Sequence, residues 1–342
     1  MKNIKIKLFD IFIVLLFAIA TYSWFDVLTE NEHIANNPVY NVFNDNISIK
    51  VYFCPRDNCE KKLNEMIKKS EYIDCAFYDL NLQKTISLLE NKKSRLIIDQ
   101  DYEHRINETS LTYITDGSSR YMHNKFCIFD NKTVFSGSMN PTHNDAKINN
   151  NNIIFIESKK IASNYANKFR RMYELNEFKN RNAESIEFRQ ISDTNENITI
   201  TTLFCPEDDC EKNVIKFLEK SNKSIYFMTF SFTSVPIGNL LVSLNESIEI
   251  KGIFENWLNS NSQWSRYSLL KEMNEPNFIL SKPPAKLHHK VFIIDEKIVI
   301  TGSYNPSNNA NVNNDENILI IENKKISEKY LFEFRELWEK YE

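Results

Sequence analysis

The chain has 342 residues, 42% of them hydrophobic and 13% aromatic, which is enough for two packed domains and too apolar for a disordered segment. Its 42 basic and 46 acidic residues leave a formal net charge of −4, so no global cationic field exists and any polyanionic ligand has to be met locally.

In chain order, Lys2, Lys5 and Lys7 precede a mostly apolar run from Leu8 to Phe25, interrupted by Asp10 and followed by Asp26, Glu30 and Glu32. Lysines stay inside, so residues 1–26 read as a targeting segment and the rest is expected to cross the membrane. At about 1.5 Å per residue the run barely spans a bilayer as an anchor, while Ala18-Ile19-Ala20 offers a small-x-small site for a signal peptidase. A buried N-terminal helix is the bland alternative. The remainder is expected outside the cytoplasm, membrane-anchored, or secreted after cleavage near Ala20.

Apolar runs rich in β-branched and aromatic residues predict strands over Ile47–Phe53, Tyr72–Phe77, Arg95–Asp99, Lys125–Phe129, Thr133–Phe135 and Ile153–Glu157. Helical spacing predicts helices over Cys59–Ser70 and Lys160–Leu175, the latter with Ile161, Tyr165, Phe169 and Met172 along one stripe. A second set follows. "VYFCPRDNCEKK" from residue 51 returns as "TLFCPEDDCEKN" from 202, and "NNIIFIESKKIASNYANKF" from 151 returns as "ENILIIENKKISEKYLFEF" from 316. The chain is therefore a tandem duplication, with lobes at 45–180 and 197–342 joined by an Asn/Asp/Glu-rich linker at 181–196. Strands alternating with helices in each half predict an α/β architecture built twice. The second half carries a longer passage near Ser260–Pro284, which should make one wall of any cleft asymmetric.

"HNKFCIFD" at 123 and "HHKVFIID" at 288 align His123 with His288, Lys125 with Lys290 and Asp130 with Asp295; Gly137, Ser138 and Asn140 align with Gly302, Ser303 and Asn305. His, Lys, Ser and Asn are costly in a core, and nothing structural requires that set twice. On a strand, His123 and Lys125 share one face, as do His288 and Lys290, whereas the odd separation to Asp130 and Asp295 turns those carboxylates away as structural ion-pair or turn residues. Gly137 and Gly302 allow close backbone approach, and the Ser and Asn after them offer hydrogen bonds to an oxyanion. If the halves pack about a pseudo-twofold, two imidazoles and two ammonium groups converge. That set suits phosphoryl transfer at a phosphodiester, with one histidine as nucleophile, the other as general acid and the lysines carrying the electrostatic work without a metal or other cofactor.

This arrangement resembles the phospholipase D superfamily, whose signature is His-x-Lys-x4-Asp followed by Gly-Ser-x-Asn. The resemblance covers nearly all of residues 45–342 and implies two α/β/α lobes, phosphohistidine chemistry and metal independence. "YFMTFSFTS" at 226–234 is similar to an element of the compact nuclease-like branch, whose small secreted endonucleases carry one copy per chain and act as dimers; both half-sites here lie in one chain, so a monomer is expected. A carboxylate usually follows Gly-Ser-x-Asn in that family and supports the catalytic histidine. Glu316 fits in the second half, where the first half has Asn151. Because a carboxylate stabilises imidazolium, this predicts His288 as the general acid beside Glu316 and His123 as the neutral nucleophile.

Outside the cytoplasm, Cys54/Cys59 and Cys205/Cys210 favour local disulfides over a zinc site or free thiols. Cys75 and Cys127, in apolar strands, read as buried thiols; His289 alternates away from His288 and reads as structural; His33 and His104 read as surface residues. Nucleic acid is the favoured substrate, a phospholipid the alternative, and an inactive phosphate-binding module a third reading. Trp257, Trp264 and Tyr267 could stack bases or line a lipid entrance.

Overall fold

The computed structural model describes residues 41–342 apart from 118, 119, 184, 185, 188, 261 and 274. The predicted membrane segment 1–26 and His33 lie outside the described residues. In the first half the elements run β1 (Val42–Asn44), β2 (Ser48–Cys54), α1 (Cys59–Lys69), β3 (Tyr72–Phe77), α2 (Gln83–Glu90), β4 (Lys93–Ile98), β5 (Tyr113–Thr115), β6 (Lys125–Phe129), β7 (Thr133–Gly137), α3 (His143–Lys147), β8 (Asn151–Glu157) and α4 (Lys159–Leu175). The second half continues with β9 (Gln190–Asp193), β10 (Ile198–Cys205), α5 (Cys210–Leu218), β11 (Ser224–Thr229), α6 (Val235–Leu244), β12 (Glu249–Phe254), α7 (Asn256–Asn259), α8 (Tyr267–Met273), β13 (Phe278–Leu280), β14 (Lys290–Ile294), β15 (Ile298–Gly302), α9 (Asn308–Val312), β16 (Glu316–Glu322) and α10 (Lys324–Tyr341).

Each half forms its own mixed sheet. The first has the order β2-β8-β7-β6-β3-β4-β5, and the same order recurs in the second as β10-β16-β15-β14-β11-β12-β13. The predicted strands are all present, and the predicted two-lobed α/β fold is the observed one. The linker is less separate than expected: β9 falls within it, pairs antiparallel with β10 and parallel with β1, and so adds both short strands to the second lobe's sheet. The long second-half passage supplies α8 and β13.

Every residue of β6 and β14 is buried, as expected for central strands covered on both faces. The predicted stripe on α4 packs inward, and Ser158 caps that helix by accepting from Ile161 N at 3.2 Å. One apolar core is shared by the lobes: Phe126, Ile154 and Tyr165 belong to the same cluster as Phe204, Val291 and Leu319. Tyr165 and Phe204, from different lobes, meet edge to face at 5.1 Å. Buried ion pairs also cross between lobes, with Lys168 on α4 donating to Glu207 (2.8 Å) and Asp315 (2.9 Å). At the equivalent place Glu333 on α10 receives Arg56 at 2.7 Å.

Cys54–Cys59 and Cys205–Cys210 are disulfides, so their sulfurs are bonded in pairs rather than gathered as zinc ligands. The expectation of free thiols at Cys75 and Cys127 is overturned. Those residues stand directly opposite each other on the antiparallel pair β3–β6, and their side chains, both fully buried, form a third disulfide.

Candidate active site

Two backbone bridges bring the histidines together across the lobe boundary. His123 N donates to Asp315 O (2.9 Å) and Asp315 N to Tyr121 O (3.0 Å), so the segment entering β6 pairs with the start of β16. The pseudo-twofold equivalent joins the segment entering β14 to the start of β8: His288 N donates to Asn150 O (2.8 Å) and Asn150 N to Lys286 O (2.9 Å). Consequently His123 and His288 line one cleft of about 780 Å³, together with Asn140, Asn305 and the aromatic side chains Tyr78, Tyr102, Tyr121, Phe230 and Trp257.

The same bridges exchange the histidine supports, and this corrects the expected pairing of Glu316 with His288. Glu316 Oε2 lies 2.8 Å from Nδ1 of His123, in the other lobe, while Asn151 Oδ1 lies 2.8 Å from Nδ1 of His288. A carboxylate only accepts, so Nδ1 of His123 carries the hydrogen and Nε2 keeps its lone pair. Asn151 donates through Nδ2 to Asp145 O (3.1 Å), which turns Oδ1 toward His288 and fixes the same tautomer there. The second half-site also has a carboxylate that the motif did not reveal: Asp145 Oδ2 is 3.3 Å from His288 Nδ1. Its position in the second half is Ala310, so the two half-sites draw their carboxylates from different places in the repeat.

Lys125 Nζ donates to His123 O (2.7 Å) and Lys290 Nζ to His288 O (2.6 Å), in keeping with the predicted shared face. Each ammonium also stands over an aromatic ring, Tyr78 at 5.0 Å and Phe230 at 4.8 Å, and the same rings pack edgewise on His123 and His288. Burial disfavours the charged form of all four groups. It takes His123 down to about 4 against the opposing pull of Glu316, and Lys125 down to about 8. His288 falls well below its ordinary value through burial and the nearby Lys290 and Lys125, and Lys290 is lowered well below its own through burial and Lys125.

The serines do not face the cleft. Ser303 Oγ donates to Glu316 Oε2 (2.6 Å) and Ser138 Oγ to Asn151 Oδ1 (3.0 Å), and both residues are fully buried, so each hydroxyl holds a histidine support instead of meeting an oxyanion. Asn140 spends its Nδ2 on Asp145 (2.8 Å), so that its amide holds the carboxylate, and Oδ1 of Asn140 and of Asn305 is buried without a hydrogen bond. Asp130 and Asp295 are turn residues, as predicted. Both have left-handed φ of 51°, and their carboxylates accept backbone N–H groups from Glu71 and Tyr72, and from Asn222, Lys223 and Ser224. His289 is buried 3.5 Å from Glu333, a structural role as expected; His104 is exposed. His143 N-terminates α3 and donates its backbone N–H to Asn81.

Residues 44–173 and 214–338 match the family described as "Cardiolipin synthase, PLD-like domain". The chain is 31% identical over 135 residues to a phospholipase D of Rickettsia prowazekii, an alignment covering 39% of this chain and 64% of that relative's length. A mitochondrial cardiolipin hydrolase of Canis lupus familiaris is 44% identical over 55 residues, 16% of this chain and 22% of the relative. Among solved structures, the phosphatidylserine synthase of Haemophilus influenzae superimposes with a TM-score of 0.64 over 83% of this chain and 84% of its own, at 11% identity, a likeness of fold.

Proposed function

The chain belongs to the phospholipase D superfamily through its two PLD-like segments, and we propose that it is a phosphodiesterase that cleaves nucleic acid through a phosphohistidine, without a metal. The observation that carries the chemistry is the convergence of two Nδ1-anchored imidazoles on one cleft, each backed by a buried lysine whose ammonium donates to that histidine's carbonyl. His123 Nε2 attacks phosphorus; the bond to the leaving oxygen breaks as His288 gives that oxygen the proton from its Nε2. His288 then takes a proton from water, the water oxygen attacks phosphorus, and the P–N bond breaks to return His123. Lys125 and Lys290 hold the non-bridging oxygens as charge builds.

Glu316, expected to mark its partner as the general acid, supports His123 instead, so that premise is set aside and the assignment of His123 as nucleophile rests on the phosphorylated state. An N-phosphorylated imidazole that keeps its Nδ1–H is a cation, and a carboxylate in contact offsets that charge. The acid, by contrast, has to release its proton, which an amide partner and a more distant Asp145 hinder less. Nucleic acid is favoured over lipid because Asn81, Asn144, Asn309 and Asn314 line the cleft between its aromatic rings, where an acyl chain needs unbroken hydrocarbon. The names of the relatives favour the second reading, a phospholipase D or cardiolipin-type hydrolase. Three disulfides suit an oxidising compartment and support placement outside the cytoplasm, tethered or released by residues 1–26.

The test is hydrolysis by the full chain, in excess EDTA, of single-stranded DNA, duplex DNA, RNA, phosphatidylcholine and cardiolipin. Cleavage of nucleic acid that persists in EDTA and falls at least about a thousandfold in His123→Asn is expected. Release from lipid alone would replace this reading with the second, and binding without turnover on every substrate would favour a phosphate-binding module. Trapping the intermediate and mapping it by mass spectrometry should find phosphate on His123; phosphate on His288 reverses the roles.

A further inference from the structure

Beyond the histidines, the cleft carries a second arrangement repeated in both lobes. Asp99, buried at the end of β4, accepts from Asp101 N (3.0 Å) and Met122 N (2.9 Å), tying the 3-10 turn Gln100–Arg105 to the residue before His123. Glu255, buried at the end of β12, accepts from Trp257 N (3.2 Å) and Leu287 N (2.7 Å), tying α7 to the residue before His288. Each carboxylate thus fixes an aromatic-bearing segment relative to a histidine. In the first lobe Tyr78 packs edgewise on both Tyr102 (4.8 Å) and Tyr121 (5.3 Å). In the second, the Lys286 ammonium stands 4.8 Å over the Trp257 ring. Trp257 is 72% exposed and Tyr121 41%, although both line the cleft that holds the two histidines.

Large aromatic faces kept in water by rigid supports fit a planar ligand. We propose that Trp257 and Tyr121, one from each lobe, are stacking platforms for the bases on either side of the scissile phosphate, so that the substrate is single-stranded nucleic acid. This inference rests on the phosphodiesterase reading above. Every base has a π-face, so such platforms grip without reading sequence, and Lys286 supplies locally the cation that the net charge withholds globally. Bases inside a duplex are stacked on their neighbours and do not reach a side wall.

The test compares the full chain with Trp257→Ala, Trp257→Phe and Tyr121→Ala on two strands of equal length and charge, oligo-dT and an abasic oligomer. The wild type is expected to prefer the base-bearing strand in KM. Trp257→Ala and Tyr121→Ala should each shrink that preference roughly tenfold, and Trp257→Phe should restore most of it. An unchanged preference in both alanine variants, or an equal KM loss on both strands, overturns the platforms while leaving the nuclease reading intact. A wild type that cleaves neither strand and hydrolyses phosphatidylcholine or cardiolipin vesicles overturns both. Melting temperatures within a few degrees of wild type exclude unfolding as the cause.

Discussion

Burial keeps both imidazoles neutral in the free enzyme, yet the proposed reaction needs one of them protonated. The productive encounter therefore takes up a proton. With His288 lowered well below its ordinary value, kcat/KM, which reports the free enzyme, should already be falling as pH rises toward neutrality. Lys125, lowered to about 8, loses its charge as pH rises through that value, so the decline should steepen there. A flat plateau between pH 5 and 7, measured on a dinucleotide substrate, would rule out this proton count. The residues of the site were legible in the sequence because their types are expensive to bury and recur at a fixed spacing. Their partners were not. The contact of Glu316 with His123 spans 193 residues and that of Asn151 with His288 spans 137, and separations of that size leave no periodicity to read. Asp145 left a weaker trace, a carboxylate a few residues past Asn140 in the half that lacks one at position 151.

At the scale of strands, the Gly-Ser-x-Asn segments act as spacers. Gly137 has φ of 130°, and a Cβ there would come within 2.4 Å of Asn152 O; Gly302 has φ of 145°, with Asn317 O at 2.2 Å. The obstacle is backbone of the adjoining strand, which cannot step aside without moving Asn151 or Glu316. Gly137→Ala and Gly302→Ala should each cost roughly 2–4 kcal/mol, seen as a Tm several degrees lower, and should weaken activity in the folded fraction. Gly117→Ala is the contrast. Its φ is 59° but nothing lies within 4 Å, so a loss of about 1 kcal/mol is expected, and a comparable loss at all three positions would remove the steric argument. Elements of this kind were legible because strand and helix periods differ and each appears twice. Cys75–Cys127 was missed because pairing requires the register of β3 against β6, which apolar runs alone do not fix. The short β1 and β9 were missed for a related reason: a three- or four-residue strand has too few positions to display a period.

For the whole molecule, the two backbone bridges, the shared core and the exchanged supports make each lobe incomplete alone. If one chain closes its own site, mixing His123→Asn chains with His288→Asn chains should recover no activity. Recovery approaching a quarter of wild type would mean that lobes are exchanged between chains. The duplication was plain in the sequence, whereas the divergence between its copies gained meaning only once the lobes were seen face to face. Lys168 and Glu207 in one cross-lobe cluster correspond to Glu333 and Arg56 in the other, the same contact with its charges reversed. Two first lobes placed about the same axis would set Lys168 against Arg56, and two second lobes would crowd Glu333 with Glu207 and Asp315 in a buried space. Like pairs are thereby penalised on both sides and the unlike pair alone is neutralised, so a structure with the outward symmetry of a homodimer is wired to accept only its other half.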